Sequence, residues 1–528
     1  MHAVRSMAIA FTLAAILAPS YHTHAQTVTF AVRQDVSVAL SSVPPPLPKA
    51  EAAHKKIHRV KRIPPPPQML GPSKADSALQ TNAVGTLPVG TIDVIEGIGE
   101  GFVTNGQTYQ VTSFPADTTG AAGSTQYVQW VNTSILIVDK ASKQSVLGPV
   151  DGRVLWKDFG GNCEQFNDGD PIVLFDRLAN RWVMSQFAVP SSPYSQCIAI
   201  STTSDAMGTY NRYEFQYQDF NDYGKFGVWP DGYYASFNMF GSDNRFQGSK
   251  VCAYDRTKML SGGSEPARMV CFDVTGQGGL VPSDLDGTTP PPAGSPNYIV
   301  NIGSDRLNLW RFSVDWANPS ASVLAGPVGI PTAPYQQACA AGPTPGTCIV
   351  QPKTTQRLDS LADRLMYRLA YRNFGSHESL VTTHSVAVTP TSAAVRWYEV
   401  RSPGAMPQIN QQGTYAPSPA SRWMGSAAMD KMGNLAIGYT VSSASVFPSI
   451  RIAGRLAGDP VNKLLAEKLI AGAAGKGAQK ESDRWGDYST MTLDPTDDCT
   501  FWYTAQYQRD GVNQWHTAIA RFKFSVCQ

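Results

Sequence analysis

The sequence predicts an all-β chain, a β-propeller of mostly four-stranded antiparallel sheets. Three observations lead there. The first is a pair of similar stretches. Arg484-Trp485-Gly486-Asp487-Tyr488-Ser489-Thr490-Met491-Thr492-Leu493 runs through Asp494-Pro495 into Cys499-Thr500-Phe501-Trp502-Tyr503. A weaker copy runs from Arg422-Trp423-Met424-Gly425 through Asp430 and Gly433-Asn434 to Leu435-Ala436-Ile437-Gly438-Tyr439. Each reads as Arg-Trp, a strand of small residues, an acidic turn, and a second strand. The second observation is composition. With 45 Gly, 38 Pro and only 16% charged residues, the chain has turns in abundance and little material for long helices. The third is strand following strand from about residue 90, and self-similar short strands mark a repeat architecture.

The first 25 residues have the pattern of an export signal: His2 and Arg5, an apolar run from Met7 to Pro19, then Thr23-His24-Ala25 as a cleavage site. The expected location is therefore secreted or periplasmic. No later stretch is apolar and long enough to be transmembrane. Residues 26–88 read as a flexible, proline-rich basic segment, with a basic run over residues 49–62. That run is a solvated spacer or a contact to an anionic cell envelope. Residues 89–528 form the propeller domain.

Within it, a first unit holds Gln126–Asn132 and Ser134–Asp139, and a second holds Asp170–Asp176, Arg181–Phe187, Cys197–Ser201 and Arg212–Phe215. A third holds Phe226–Gly232, Tyr233–Phe237 and Val251–Tyr254; a weak fourth lies around Tyr298 to Val314. A fifth holds Leu365–Tyr371, His377–Val386 and Val395–Val400, and the Arg422 and Arg484 stretches open a sixth and a seventh. The count is seven, with six or eight left open by the weak fourth unit; a pair of β-sandwiches is the alternative architecture. A helical insertion is expected at about 459–483, where Asp459-Pro460 reads as an N-cap and first helical residue before Leu464, Leu465 and Leu469.

The eight cysteines are an even number, which in an exported chain suggests disulfides. Neighbours in order would pair as Cys163–Cys197, Cys252–Cys271, Cys339–Cys348 and Cys499–Cys527. No Cys/His cluster suggests zinc. No cofactor is expected, though the Asn167–Asp170 and Asp494–Asp498 clusters carry oxygen ligands suited to calcium. The net charge of +2 gives no case for nucleic acid as partner.

In these residues a resemblance is visible. Asp168-Gly169-Asp170-Pro171-Ile172, Trp229-Pro230-Asp231-Gly232 and Arg484-Trp485-Gly486-Asp487-Tyr488 resemble a group of secreted bacterial β-propeller proteins, similar in build to the sialidase and Asp-box superfamily. Thr203-Ser204-Asp205-Ala206-Met207-Gly208-Thr209-Tyr210 looks like a loosened Asp-box, which implies a turn between outer strands. The Phe-Arg-Ile-Pro motif of sialidases is missing.

A propeller brings residues that precede its inner strands to one mouth of a central channel. That offers Asp117, Asp168, Asp170, Asp222, Tyr223, Lys225, Asp363, Arg364, Arg422, Trp423, Arg484, Trp485, Asp487 and Tyr488. Arginine forks suit sugar carboxylates, and tryptophan faces suit sugar rings. Asp170 and Asp487 are the candidate acid/base pair of a glycoside hydrolase. Tyr488 is the candidate base of a polysaccharide lyase. Arg364, Arg422, Trp423, Arg484 and Trp485 are the candidate substrate-binding groups. Each also has a structural reading, because Asp before Gly or Pro fixes turns and Arg-Trp pairs stack. A second site, with Tyr371, Arg372, His377 and Glu378, would lie at the opposite mouth. The expected function is action on, or binding of, an extracellular carbohydrate or other polymer, an acidic polysaccharide among them. The alternative is a non-catalytic adhesion or scaffold propeller.

Overall fold

The computed structural model describes residues 24–43, 56–57, 61–64, 75–104, 106–111, 113–340, 344–510 and 515–528. The export signal expected over residues 1–25 lies outside them except for His24 and Ala25.

Among the described residues, antiparallel sheets follow one another along the chain. The first strand of each lies innermost: Thr118–Ala122, Gly169–Asp176, Phe220–Val228, Val281–Asp286, Met366–Asn373, Ser421–Met429 and Thr490–Leu493. Each inner strand touches the next, and Thr490–Leu493 touches Thr118–Ala122, so the ring closes on itself. This is a β-propeller. The ring closes through chain crossing as well. The last sheet takes its outer strand from far upstream, where Asp93–Glu96 pairs with His516–Phe522. The inner strands of the fourth and fifth sheets also pair directly, in parallel, from Ser283↔Leu369 to Asp286↔Arg372.

The inner strands are buried almost throughout because they are packed between neighbouring sheets. Trp130, Trp182, Trp229, Trp310, Trp397 and Trp502 fill the wedges between sheets and are all but fully buried. The four disulfides join the cysteines in sequence order. The Asp-box-like stretch lies between the outer strands Tyr194–Ser201 and Tyr210–Tyr217, as the resemblance implies.

Two expectations are overturned. Residues 26–88 are not loosely packed throughout. Gln26–Phe30 adds a fifth strand to the third sheet through Arg268–Thr275, and Arg33–Val36 adds one to the second through Tyr210–Tyr217. Leu79–Gln80 pairs with Thr414–Tyr415 at the edge of the fifth. These short stretches are free of proline and keep the backbone N–H groups needed to add to an open sheet edge. The α-helix expected within 459–483 is also missing; the stretch holds only a single 3₁₀ turn, Ala471–Ala473. Asn462 takes a left-handed φ of 64°, which breaks a helix after its first turn. The backbone groups of Leu464 bond to the Gln80 side chain, and Lys468–Leu469 pairs as the outer strand of the sixth sheet. Tertiary pairing thus outweighs the capping signal of Asp459-Pro460.

Candidate functional site

One mouth of the channel collects charge from five sheets. Asp117 stands just before the first inner strand, and Asp170 at the head of the second. Asp222, Tyr223 and Lys225 head the third, Asp363 and Arg364 precede the fifth, and Arg484, Asp487 and Tyr488 precede the seventh.

The local backbone explains how these side chains are aimed. In the second sheet the pairing slips between Gly169 and Ile172, and Asp170 has φ 46°. In the third it slips between Asp222 and Lys225, with Tyr223 at φ 58°. In the sixth it slips between Trp423 and Ser426, with Met424 at φ 54°. These are β-bulges at the same place in three of the repeats, and a bulge re-aims the side chains around it. Gly169 is required by its surroundings: at φ 103°, an added Cβ would run into the Asn132 side chain. The bulges could have been found in the sequence, since Gly169-Asp170, Tyr223-Gly224 and Met424-Gly425 each put glycine inside a strand head.

The groups bind one another. The Asp487 backbone N–H donates to Asp117 Oδ1 at 2.7 Å, and Asn132 Nδ2 donates to Asp117 Oδ2 at 3.2 Å. The Tyr223 hydroxyl donates to the Asp487 carbonyl at 3.2 Å, and the Tyr488 hydroxyl to the Pro171 carbonyl at 3.1 Å. Arg484 pairs with the Asp487 carboxylate at 2.8 Å. Arg364 forks onto Asp363 with bonds of 2.8 and 3.1 Å, and its guanidinium lies 4.5 Å from the centre of the Tyr223 ring. The Lys225 ammonium is fully buried, 3.5 Å from the Tyr223 ring centre and 3.9 Å from that of Tyr488.

Crowding of carboxylates in a buried place shifts their titration. Burial pushes Asp222 up to about 7, with Asp170 and Asp487 adding to the rise and Arg364 opposing it. Burial raises Asp170 too, against the pull of Lys225, and raises Asp117 well above its ordinary value with Asp487 and Asp170 contributing. Burial lowers Lys225 to about 8, while Asp170 holds it up. Burial also keeps the Tyr488 phenol protonated to well above its usual range.

Of the expected site residues, Asp170, Asp487, Tyr488, Arg484 and Arg364 meet at this mouth. Arg422 does not. It forks onto Glu467 with bonds of 2.9 and 2.8 Å, inside the sixth sheet. Its copy of the motif is out of step: Arg422 pairs with Val441 within its strand, whereas Arg484 lies ahead of the strand that starts at Thr490. Trp423 and Trp485 are buried against each other, with ring centres 5.7 Å apart, so their faces are not open to a sugar. Asp168 accepts from the Val189 backbone N–H at 2.7 Å and shapes its loop. Lys225 and Asp222 carry more of the site's electrostatics than their place in the sequence suggested.

The opposite mouth is crossed by ion pairs, and Arg177, Asp284, Asp286 and Arg368 line a small cavity there. Arg368 bonds Asp284 at 2.7 Å and forks onto Asp286 at 2.8 and 3.0 Å. Arg372 forks onto Asp498, with both bonds at 2.7 Å, and Arg177 adds a third bond to Asp498 at 2.9 Å. Tyr371 donates to Glu378 at 2.6 Å, and His377 stacks on Phe374. The four residues of the second expected site are thus not one cluster, since Arg372 is spent on Asp498. The Asp494–Asp498 cluster considered for calcium is engaged as well. Asp494 accepts from Lys140, Thr496 and Trp502, and Asp497 accepts from the Cys499 and Thr500 backbone. Among the described residues no group of acids, histidines and cysteines is arranged to hold a metal ion.

No family model matches the chain, and no curated protein does. Solved structures do. An exo-beta-1,3-galactanase from Clostridium thermocellum matches at 9% identity over 70% of this chain and 88% of its own, with a TM-score of 0.30. The WD40 domain of SCAP from fission yeast matches at 10% identity over 83% and 96%, with a TM-score of 0.32. A Synechocystis apocarotenoid oxygenase matches at 8% identity over 76% and 67%, with a TM-score of 0.27. These proteins differ in activity, and at such similarity none of them assigns one to this chain.

Proposed function

We propose that this chain is an exported, seven-bladed propeller of sialidase-like build that acts on an extracellular carbohydrate as a glycoside hydrolase. One observation carries the reading: Asp117, Asp170, Asp222 and Asp487 converge with Lys225, Arg364 and Arg484 at a single mouth, from blades far apart in sequence. Hydrolysis of a glycosidic bond needs one carboxyl that gives a proton and one carboxylate that takes one or attacks. Asp170, raised by burial, is suited to give. Asp487, ion-paired with Arg484, is suited to take. Asp222, neutral up to about pH 7, keeps a second proton in the same place. Four disulfides support export.

A lyase mechanism is less well supported. Its base would be Tyr488, whose hydroxyl is bonded to Pro171 and whose proton is held tightly by burial. An acidic polysaccharide is also less well supported than a neutral or amino sugar, because Arg422 is spent on Glu467 and acids outnumber cations at the mouth. A scaffold or adhesion propeller is the second reading. It is favoured by the extent to which the mouth groups satisfy one another and by the covered faces of Trp423 and Trp485.

The test is incubation of the mature chain with a panel of polysaccharides, with products read by mass spectrometry. Asp170→Asn and Asp487→Asn should each cut product formation by about 10²–10⁴-fold without unfolding the protein. Absence of product together with absence of binding would remove the carbohydrate reading and leave the scaffold.

A further inference from the structure

The basic run of residues 49–62 ends against the same mouth. Lys61 lies over the third sheet, its ammonium 4.2 Å from the Phe220 ring centre and 4.9 Å from that of Phe240, and it donates to Asn244 at 2.9 Å. Its backbone carbonyl accepts from Arg364, the cation that faces Tyr223, at 3.1 Å. Arg62 is ion-paired with the buried carboxylate of Asp359 and donates to the Pro345 carbonyl at 2.9 Å. Ile63 is 4% exposed. Lys61, Arg62 and Ile63 therefore belong to the propeller surface; residues 49–55 and 58–60 of the basic run, read as spacer or envelope contact, lie outside the described residues.

The seat is shaped for them. A Cβ added at Gly278 would come within 2.9 Å of Ile63, and at Gly279 it would press on both Arg364 and Ile63. A Cβ at Gly346 would strike the Arg62 guanidinium. Charge points the same way. Without this segment the mouth holds the acids Asp117, Asp170, Asp222, Asp359, Asp363 and Asp487 against the cations Lys225, Arg364 and Arg484. Lys61 and Arg62 supply part of the missing positive charge, Lys61 acting on Asp222 and Arg62 on Asp359.

We propose that Lys61-Arg62-Ile63 is a built-in stopper, an intramolecular occupant of the mouth that must leave before a ligand enters. The proposal rests on the reading of this mouth as a ligand site. The seat is held by a few charged contacts and one apolar side chain, so a ligand that matches the acid-rich surface, or a cut in the lead segment, displaces it.

The experiment uses the full chain, labelled with a water-soluble carbodiimide and an amine and mapped by peptide mass spectrometry. Lys61→Ala with Ile63→Ser should raise labelling of Asp222 about tenfold, while Asp176, ion-paired with Arg256 away from this mouth, stays unlabelled. Lys61→Ala alone, a half-buried side chain whose loss leaves the fold intact, should give a smaller rise, about two- to threefold. Hydrogen exchange of residues 61–63 reports whether the segment has left. Faster exchange there without extra labelling of Asp222 would overturn the proposal. The opened variant is then offered the polysaccharide panel. An opened mouth that binds no sugar would contradict the carbohydrate reading while leaving the stopper in place.

Discussion

Asp222 is the residue on which the chemistry of the mouth turns. Its folded pKa of about 7 is above the unfolded value of about 3.9, so the folded state holds its proton more tightly. The stability this contributes is complete below about pH 4 and is lost as pH rises through about 7. Asp222→Asn keeps the neutral form at every pH. Its melting temperature relative to the unsubstituted protein should therefore rise from pH 5 to pH 8, by the equivalent of about 1–2 kcal/mol after allowance for partial solvent access. A constant difference across that range would count against a buried, crowded carboxyl. Arg422 teaches the converse at the same scale. The sequence shows it as a twin of Arg484, yet a shift of a few residues relative to the strand sends it to Glu467.

At the scale of the element, strands were legible and their exact heads were not. Alternating and β-branched runs marked the second strands and most inner ones, because a pleated, half-buried surface selects those side chains, but the inner strands Thr118–Ala122 and Val281–Asp286 carried no such run. The bulges at Asp170, Tyr223 and Met424 depend on which backbone partners stand opposite, and no single strand encodes that. The helix expected at Asp459-Pro460 failed for the same reason: its local signal was sound, but Gln80 and the sheet edge offered the backbone other partners. The strands Gln26–Phe30 and Arg33–Val36 escaped notice because an edge strand needs little apolar character of its own. The Cys499–Cys527 bridge closes a span of 28 residues and pins the end of the chain to the last sheet. Cys499→Ser with Cys527→Ser should cost about 2–4 kcal/mol of unfolding free energy, measured in denaturant. No change would mean that ring closure by Asp93–Glu96 suffices alone.

For the whole molecule, the two mouths have different work. The mouth with Arg368, Arg372 and Asp498 is paired across sheets with little left over, and it holds the ring together. Asp498→Ala would leave Arg372 and Arg177 buried without their carboxylate and should destabilise the protein by about 3–5 kcal/mol. The radial arrangement was readable from self-similar strands, and so was the convergence of strand heads on one channel. Which charges would be spent on structure was not readable, because pairing joins residues hundreds of positions apart, as with Arg177 and Asp498.

The central claim is that carboxyls from separate blades share one hollow. The most direct measurement is an NMR pH titration of the aspartate carboxyl carbons, made on the unsubstituted protein and on Asp170→Asn. The account predicts that Asp222 titrates near 7 and that its midpoint falls when the Asp170 charge is removed. An Asp222 midpoint near 4, unmoved by the substitution, would contradict it.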